Sequence, residues 1–445
     1  MDDVTIKGLT EDAVIALSES YGEPAWLRDV RLGAFKAFTD MAWPHKRVEE
    51  WRYTDPARFD LERPVLLADG SDAAPSDGGI IAAADAAGGL AASVRIVDGH
   101  VHAAVVSAEA AASGVVITDF TTAASKHEAV LREHLGSVVP AGGKFEAASL
   151  AAFTGSVLVH VPAEVELSQP IAITVHATQP GAILPRVLVV ADAYAKAAVY
   201  VDHRGQGRAT VIDVVETVLG EAARVGVVTS QDWGPDVDQI GSRSAVVGRG
   251  ARYRHLEVTL GGGTLYIRPD VRLDHEGGEA ELLGVYFTDQ GQHVEHRSLI
   301  HHNASRTNSE SVYKGALQGD SRATWYGNIR IEPHAKATAS DETNRNLILT
   351  DGARADSIPF LEILTADVSR CGHHSSIGQV DELQLFYLES RGIPRQEAMR
   401  LLVFGFFAEV TDRIDLPGVT ATVLQRIESS IDRGPAVIAH AGGRR

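Results

Sequence analysis

The clearest pattern in the chain is a long succession of short apolar runs between about Ser156 and Ile363, each bounded by Gly, Asp, Asn or Pro. Val157-Leu-Val-His-Val161, Ile171-Ala-Ile-Thr-Val175, Val187-Leu-Val-Val190 and Val211-Ile-Asp-Val-Val215 are early examples. Arg254-His-Leu-Glu-Val-Thr-Leu260, Ser298-Leu-Ile-His-His302 and Ala323-Thr-Trp-Tyr-Gly-Asn-Ile-Arg-Ile331 are later ones. They are rich in β-branched and aromatic residues, as strands are, and they recur at roughly ten-residue spacing. No sustained helical period separates them, which argues against a βαβ fold. A sandwich, a barrel pair and a solenoid all fit strands of this length. The succession outlasts what one sandwich needs and so favours the solenoid, although no tidy side-chain repeat marks its turns. Such a stack has open ends that need caps.

The flanks read differently. Leu27, Val30, Leu32, Phe35, Phe38 and Met41 have near-helical spacing, and Pro44 ends that segment. Glu49-Glu50-Trp51-Arg52-Tyr53-Thr54 then leads into Asp55-Pro56, where helix is disfavoured before the proline. From about Ala68 to Gly114 the composition turns to Ala, Gly, Asp and Ser. Loop signals stand at residues 75–79 and 86–89, and short strands are expected at 101–106 and 114–118. The pairs Gly88-Gly89 and Gly142-Gly143 lack the strand-turn-helix context of a phosphate-binding loop. Beyond the strand-rich region, residues 381–390, 395–411 and about 420–431 predict three helices, with Gly392 and Pro394 punctuating the first junction. The second is so crowded with apolar residues that it is either wholly internal or reserves a face for another protein. The third carries the stripe Val423, Leu424, Ile427 and Ile431. The expected division is therefore a helical region at 1–60, a mixed Ala/Gly-rich segment at 61–150, a solenoid core at 151–377 and a helical region at 378–445.

Composition narrows the function. With 445 residues and 44% hydrophobic content the chain can bury a large core. Its opening residues lack the basic and apolar regions of a signal peptide, and no stretch is long and apolar enough to cross a bilayer, so a cytoplasmic location is expected. A formal net charge of -18 disfavours nucleic acid and anionic membrane as partners. There is one cysteine, Cys371. It excludes an intrachain disulfide, and any thiolate-rich metal site would have to be shared with another chain.

Histidines gather in the second half, at positions 275, 293, 296, 301, 302, 334, 373 and 374. Imidazole suits first-row metals, but no HExxH or paired-cysteine spacing supports a resident metal site, and most of these histidines read as satisfied polar groups. The tract Asp367-Val-Ser-Arg-Cys-Gly-His-His374 differs. Two residues apart on a strand, Cys371 and His373 point to one face and can meet one ligand. Arg370 would favour the thiolate if it lay close. A thiol hydrolase is the rival reading, but no oxyanion-hole turn or orienting third group is evident.

At this tract the chain resembles the SufB/SufD family of iron-sulfur cluster assembly proteins, and the resemblance extends over nearly its whole length. Tyr313-Lys-Gly315, Trp325-Tyr-Gly-Asn-Ile-Arg-Ile331, Thr343-Asn-Arg-Asn-Leu-Ile-Leu349, Pro359-Phe-Leu-Glu-Ile363, Cys371-Gly-His373 and Leu385-Phe-Tyr-Leu-Glu-Ser-Arg-Gly-Ile393 carry it, with Glu50-Trp-Arg-Tyr-Thr54 near the start. The resemblance implies a right-handed parallel β-helix with helical ends, serving as a scaffold rather than an enzyme. It implies a SufB partner along the β-helix and a SufC ATPase on the C-terminal helices through Leu401, Leu402, Phe404, Phe406 and Phe407; a homodimer where SufB is absent stays open. The cargo would be transient iron or a nascent cluster shared with SufB, none of it tightly held by this chain alone. His373 and Cys371 are the residues carried over, with His374 as an additional candidate.

The single cysteine and moderate length favour a SufD-type over a SufB-type member. The family commonly has serine at the position of Gly372, glycine at His374, and an alanine-threonine-valine run in place of Ser375-Ser376-Ile377. A competing class is an independent β-solenoid metalloenzyme with histidine ligands.

Overall fold

The computed structural model describes residues 8–59, 61, 80–413 and 419–433. The N-terminal half opens with helices α1 (Glu11–Ser20) and α2 (Ala25–Asp40), followed by α3 (Ile80–Gly88), the hairpin β1 (Ala92–Val97) and β2 (His100–Val106), α4 (Ala108–Ala112) and β3 (Val116–Asp119). Three short helices, α5 (Phe120–Lys126), α6 (Glu128–His134) and α7 (Lys144–Ala152), lead to the strands. These are β4 (Val157–Val161), β5 (Ile171–Ala177), β6 (Gly181–Ile183), β7 (Arg186–Ala191), β8 (Lys196–Gly205), β9 (Ala209–Leu219), β10 (Arg224–Trp233), β11 (Val237–Val247) and β12 (Arg252–Thr259). They continue as β13 (Thr264–Leu273), β14 (Glu279–Thr288), β15 (His293–His302), β16 (Asn308–Leu317), β17 (Arg322–Ile331), β18 (Thr338–Ile348), β19 (Arg354–Ile363) and β20 (Val368–Gln379). Helices α8 (Glu382–Ser390), α9 (Arg395–Thr411) and α10 (Val419–Arg433) follow.

Successive strands alternate between two ten-stranded sheets. One runs β2-β1-β5-β8-β10-β12-β14-β16-β18-β20, the other β19-β17-β15-β13-β11-β9-β7-β4-β3, with β6 beside β9. Apart from the antiparallel pairs β1/β2 and β3/β4, the ladders are parallel. The result is a parallel β-solenoid of about eight turns with helices at both ends, as the strand spacing and the resemblance led us to expect.

The turn period is carried by backbone conformation rather than by residue identity. Glu164, Tyr194, Ala222, Gly250, Gly277, Arg306 and Ala337 all have positive φ and stand about thirty residues apart, at one corner of successive coils. A left-handed non-glycine residue costs roughly 1 kcal/mol. Bonding between coils offsets this, as where Tyr194 N–H donates to Glu221 O and Ala222 N–H to Arg249 O.

Inward positions fill the lumen with Val159, Val189, Val199, Val227, Leu265, Tyr286, Trp325 and their neighbours. Outward positions are also covered over much of the length. Helix α7 and the N-terminal segment pack over Ile212, Ile240 and Tyr266 on one sheet, and the C-terminal helices pack over Val228, Leu256, Leu283 and Val312 on the other. Burial on both faces is why these runs read as continuously apolar.

Two segments depart from the expectation. Residues 108–152, read as mixed material, contain four short helices, of which α4 and α5 are N-capped by Ser107 and Asp119. Their Ala-rich composition masks the helical period. The loop signal at 86–89 marks the end of α3, where Gly89 takes the left-handed conformation; the one at 75–79 lies outside the described residues.

Candidate functional site

The solenoid ends on β19 and β20, the terminal strands of their sheets. Burial falls away along both, leaving Phe360, Ile363 and Ile377 exposed together with the adjoining Leu364. An uncovered sheet edge of this kind is a template for pairing with another chain.

Cys371 and His373 both stand on β20. Cys371 is half-buried against Ile329, Ile331, Ala335, Leu361 and Val368, at the mouth of the lumen. Strand alternation turns His373 to the same inner face, where Glu342 of β18 is its register partner. His373 is exposed because no coil lies beyond it. His374 is on the opposite, outer face, its Nε2 3.7 Å from Asp341 Oδ1. The structure therefore brings Cys371 and His373 together and separates His374 from them.

Glu342 is 1% exposed and its Oε1 has no hydrogen-bond partner among the described residues. Burial, opposed by a bond from the Phe360 N–H and assisted by Asp341, raises its carboxyl to about 8. Gly327 makes room for it: a Cβ there would lie 2.2 Å from the Trp325 ring and 2.5 Å from Glu342 Oε2. Burial, then Glu342 and Asp341, push the Cys371 thiol up to about 11. The thiol form is thereby favoured, and Arg370, which would favour the thiolate only if it lay close, is not among the groups that shift it.

Behind this mouth the lumen is lined by polar and aromatic groups. Trp325 meets Tyr313, and His296 lies between Tyr313 and Tyr286. The Tyr286 hydroxyl bonds Asn346 and Asn344. Thr259 links His296 to Gln231, and Thr229 bonds both His255 and Glu257. Deeper still, Arg243 stands 2.6 Å from Asp213 and 3.6 Å from Glu257, and His203 is 3.0 Å from Asp213. Burial acts to raise the Asp213 carboxyl, but Arg243 and His203 outweigh it and hold it down at about 2. Sequence reading singled out none of Asp213, Arg243, Glu257, His203, His255 or Glu342. The available signal was a polar residue at an inward position of an apolar alternation, as Asp213 is between Val211 and Val215.

The remaining histidines are dispersed. His293 bonds Thr54 on the outer face, His301 pairs with Glu332, His302 bonds Thr307 and Ser309, and His334 bonds the Asn303 carbonyl. No group of three or more His, Cys, Asp or Glu among the described residues could hold a metal ion. Cys371 and His373 place a thiol and an imidazole on one face of β20.

The apolar crowding of α9 is largely spent within the chain. Phe407 is buried, and Leu402, Phe404 and Phe406 are partly buried against the cluster that the C-terminal helices form with the outer face of the sheet. Lys314 of β16 pins the helix through the Phe406 carbonyl at 2.7 Å and Glu409 at 2.6 Å. Of the five residues expected to form a docking face, Leu401 is the exposed one, at 45%. A neighbouring apolar surface that sequence reading passed over lies on α8, where Leu383, Phe386 and Tyr387 are exposed.

The profile described as SUF system FeS cluster assembly, SufBD core domain, matches residues 173–406, and that of the SufBD protein N-terminal region matches residues 19–173. The chain belongs to the SufBD family. The SufBD core match takes in most of the solenoid, the Cys371/His373 mouth and much of α9. Among SufBD relatives, an iron-sulfur cluster assembly SufBD family protein of Mycobacterium leprae is 41% identical over 64% of this chain and 74% of its own length. The iron-sulfur cluster assembly protein SufD of Bacillus subtilis is 26% identical over 94% of this chain and 96% of its own. A SufBD family protein of Staphylococcus aureus is 27% identical over 96% and 94%.

Proposed function

We propose that this SufBD chain is a cytoplasmic, non-catalytic scaffold subunit of SufD type. Its uncovered solenoid end pairs with SufB, and the inner-face residues Cys371 and His373 contribute to handling iron or a nascent cluster as shared cargo. The observation that carries this reading is the coincidence of the unpaired edge with a two-donor half-site: the strand that would join another solenoid is the strand that holds the thiol and the imidazole. Two donors fall short of the four ligands that clusters usually take, so the cargo is completed from the other side of the junction. The exposed apolar residues of α8, with Leu401 of α9, form the surface for the SufC ATPase. Without SufB, the same edge would accept a second copy of this chain.

The test is co-purification from the native cell of the unaltered chain, Ile377→Asp on the edge, Phe386→Asp on α8, and His373→Ala. The reading expects Ile377→Asp to lose SufB, Phe386→Asp to lose SufC, and His373→Ala to keep both while the complex carries less iron. A chain that purifies alone, with stoichiometric metal and turnover of its own, would instead be the metalloenzyme of the competing reading.

A further inference from the structure

A cavity of about 310 Å³ lies on the outer face of the sheet formed by β5, β8, β10 and β12, at the end remote from Cys371. That volume is at the lower end of those that hold small ligands. Parallel register builds it in three rows. At its outer rim Lys196, Arg224 and Arg252 are register neighbours. In the next row Ala198 and Gly226 are neighbours, and a Cβ built on Gly226 would meet no atom within 4 Å. Two small residues side by side leave a hollow where longer side chains would close the sheet surface. The innermost row contributes Tyr200 and Leu256, with Leu283 of β14 beyond them.

Three features of the lining point to a ligand. It is mainly apolar along its floor, yet contains four cationic side chains, the rim three and Arg254, and among the described residues no acidic one, in a chain of net charge -18. Arg252 and Arg254 are committed to Glu279 and Glu281. Arg224 has no ion-pair or hydrogen-bond partner for its guanidinium among the described residues, and Lys196 has a single long contact of 3.9 Å to Glu166. Independently, Tyr200 is 0% exposed and its hydroxyl has no hydrogen-bond partner among the described residues. A buried hydroxyl without a bond costs about 1–3 kcal/mol, which is why such groups are normally paired.

We propose that this cavity binds a compact amphipathic anion: a flat apolar body lying on Ala198 and Gly226, a carboxylate or phosphate held by Arg224 and Lys196, and a polar group at the far end bonded to the Tyr200 hydroxyl. The guanidinium and ammonium supply charge-assisted bonds at the rim. The glycine step supplies the clearance, and the tyrosine fixes the ligand's inner end. The site is separate from the solenoid mouth and independent of the partner reading.

The experiment is calorimetric titration of the full chain with 6-hydroxy-2-naphthoate, which carries both polar ends, with 2-naphthoate lacking the hydroxyl and 2-naphthol lacking the anion. One site per chain is expected, with affinity falling in that order. Arg224→Gln should weaken naphthoate about tenfold, the loss of one charge-assisted contact. Tyr200→Phe should erase the preference for the hydroxylated probe while leaving 2-naphthoate in place. Gly226→Val fills the hollow with a residue that strands favour and should abolish binding, with an unchanged melting temperature showing that the chain is folded. The proposal is overturned if 2-naphthol binds as tightly as the anions, if Gly226→Val binds like the native chain, or if none of the probes binds below about 5 mM.

Discussion

Glu342 and His373 are register partners on the last two strands of one sheet, the carboxyl buried behind the imidazole at the mouth of the lumen. A carboxyl raised by burial to about 8 in the folded chain, against an ordinary 4.5, binds a proton that the unfolded chain has already released through that window. Native stability attributable to Glu342 therefore falls as pH rises from about 4.5 to 8. Glu342→Gln cannot ionise, and its amide oxygen can still accept from the Phe360 N–H. Urea unfolding of both proteins should show the variant gaining on the native chain by on the order of 3 kcal/mol between pH 5 and pH 8.5. A gap constant with pH would show that Glu342 ionises as freely folded as unfolded.

The neighbouring thiol gives a kinetic counterpart. Burial and the acidic neighbours push the Cys371 thiol from its ordinary 9.0 up to about 11, so its thiolate fraction at pH 8 is roughly a hundredfold below that of an ordinary cysteine. Iodoacetamide should alkylate the isolated chain about that much more slowly than it does a free thiol, with a rate still climbing past pH 10. Glu342→Gln removes one of the two charges acting on the thiol and should speed the reaction at pH 8. Fast alkylation at pH 7 would contradict the buried, acid-flanked placement.

The polar lining deeper in the lumen predicts a stability effect of a different kind. Arg243 is the shared partner of Asp213 and Glu257, and all three are at most 2% exposed. Arg243→Met leaves two buried carboxyls without their cation, and breaking a buried pair costs about 3–5 kcal/mol. A matching drop in the urea midpoint is expected, whereas Arg252→Met, at a rim pair 61% exposed on the arginine side, should change it by less than about 1 kcal/mol.

What could be read beforehand divides along physical lines. The strands were legible because burial on both faces gives β-branched runs such as Val187–Val190, and the C-terminal helices because Gly392 and Pro394 punctuate them. That Cys371 and His373 share a face was legible because period two puts alternate residues on one face. The coil period was not, because it resides in the φ of residues as unlike as Tyr194, Ala222 and Arg306. Nor was Glu342, since its partnership with His373 depends on register between strands about thirty residues apart. The crowding of α9 suggested a docking face, but sequence cannot distinguish an apolar residue that meets its own sheet, as Phe407 does, from one that meets another protein.

The N-terminal signature acts as a strap. Trp51 stacks on Tyr266 with ring centroids 4.5 Å apart, and the fully buried Thr54 hydroxyl reaches His293 and Glu295. Trp51→Ala should cost about 3–5 kcal/mol of local stability. Limited proteolysis should then cut within the first sixty residues while the solenoid stays intact. Equal loss of both would mean that the segment is integral to the core rather than strapped over it.

Four buried histidines make the fold sensitive to acid. His255 and His296 are held down at about 3, and His293 and His302 at about 4, in each case first by burial and then by nearby positive groups, among them Arg243, Arg322 and His301. Below the unfolded value near 6.5 the unfolded chain takes up protons that the folded chain refuses. Stability is therefore complete above about pH 6.5 and is lost as pH falls toward 4, by up to about 1.4 kcal/mol per pH unit for each histidine. Glu342 acts in the opposite direction, as do Asp202, Glu257, Asp270 and Glu295, whose carboxyls burial also raises. His296→Gln tests one member: its amide can still bond Thr259, which holds His296 Nε2 at 3.1 Å. The variant should lose about 1–2 kcal/mol at pH 7 from poorer packing between Tyr286 and Tyr313. Its stability should then fall less steeply than the native chain's between pH 6.5 and 4, by one proton's worth of slope. An unchanged slope would mean that His296 is protonated in the folded lumen, and that the chain from Thr259 to Tyr313 carries a positive charge.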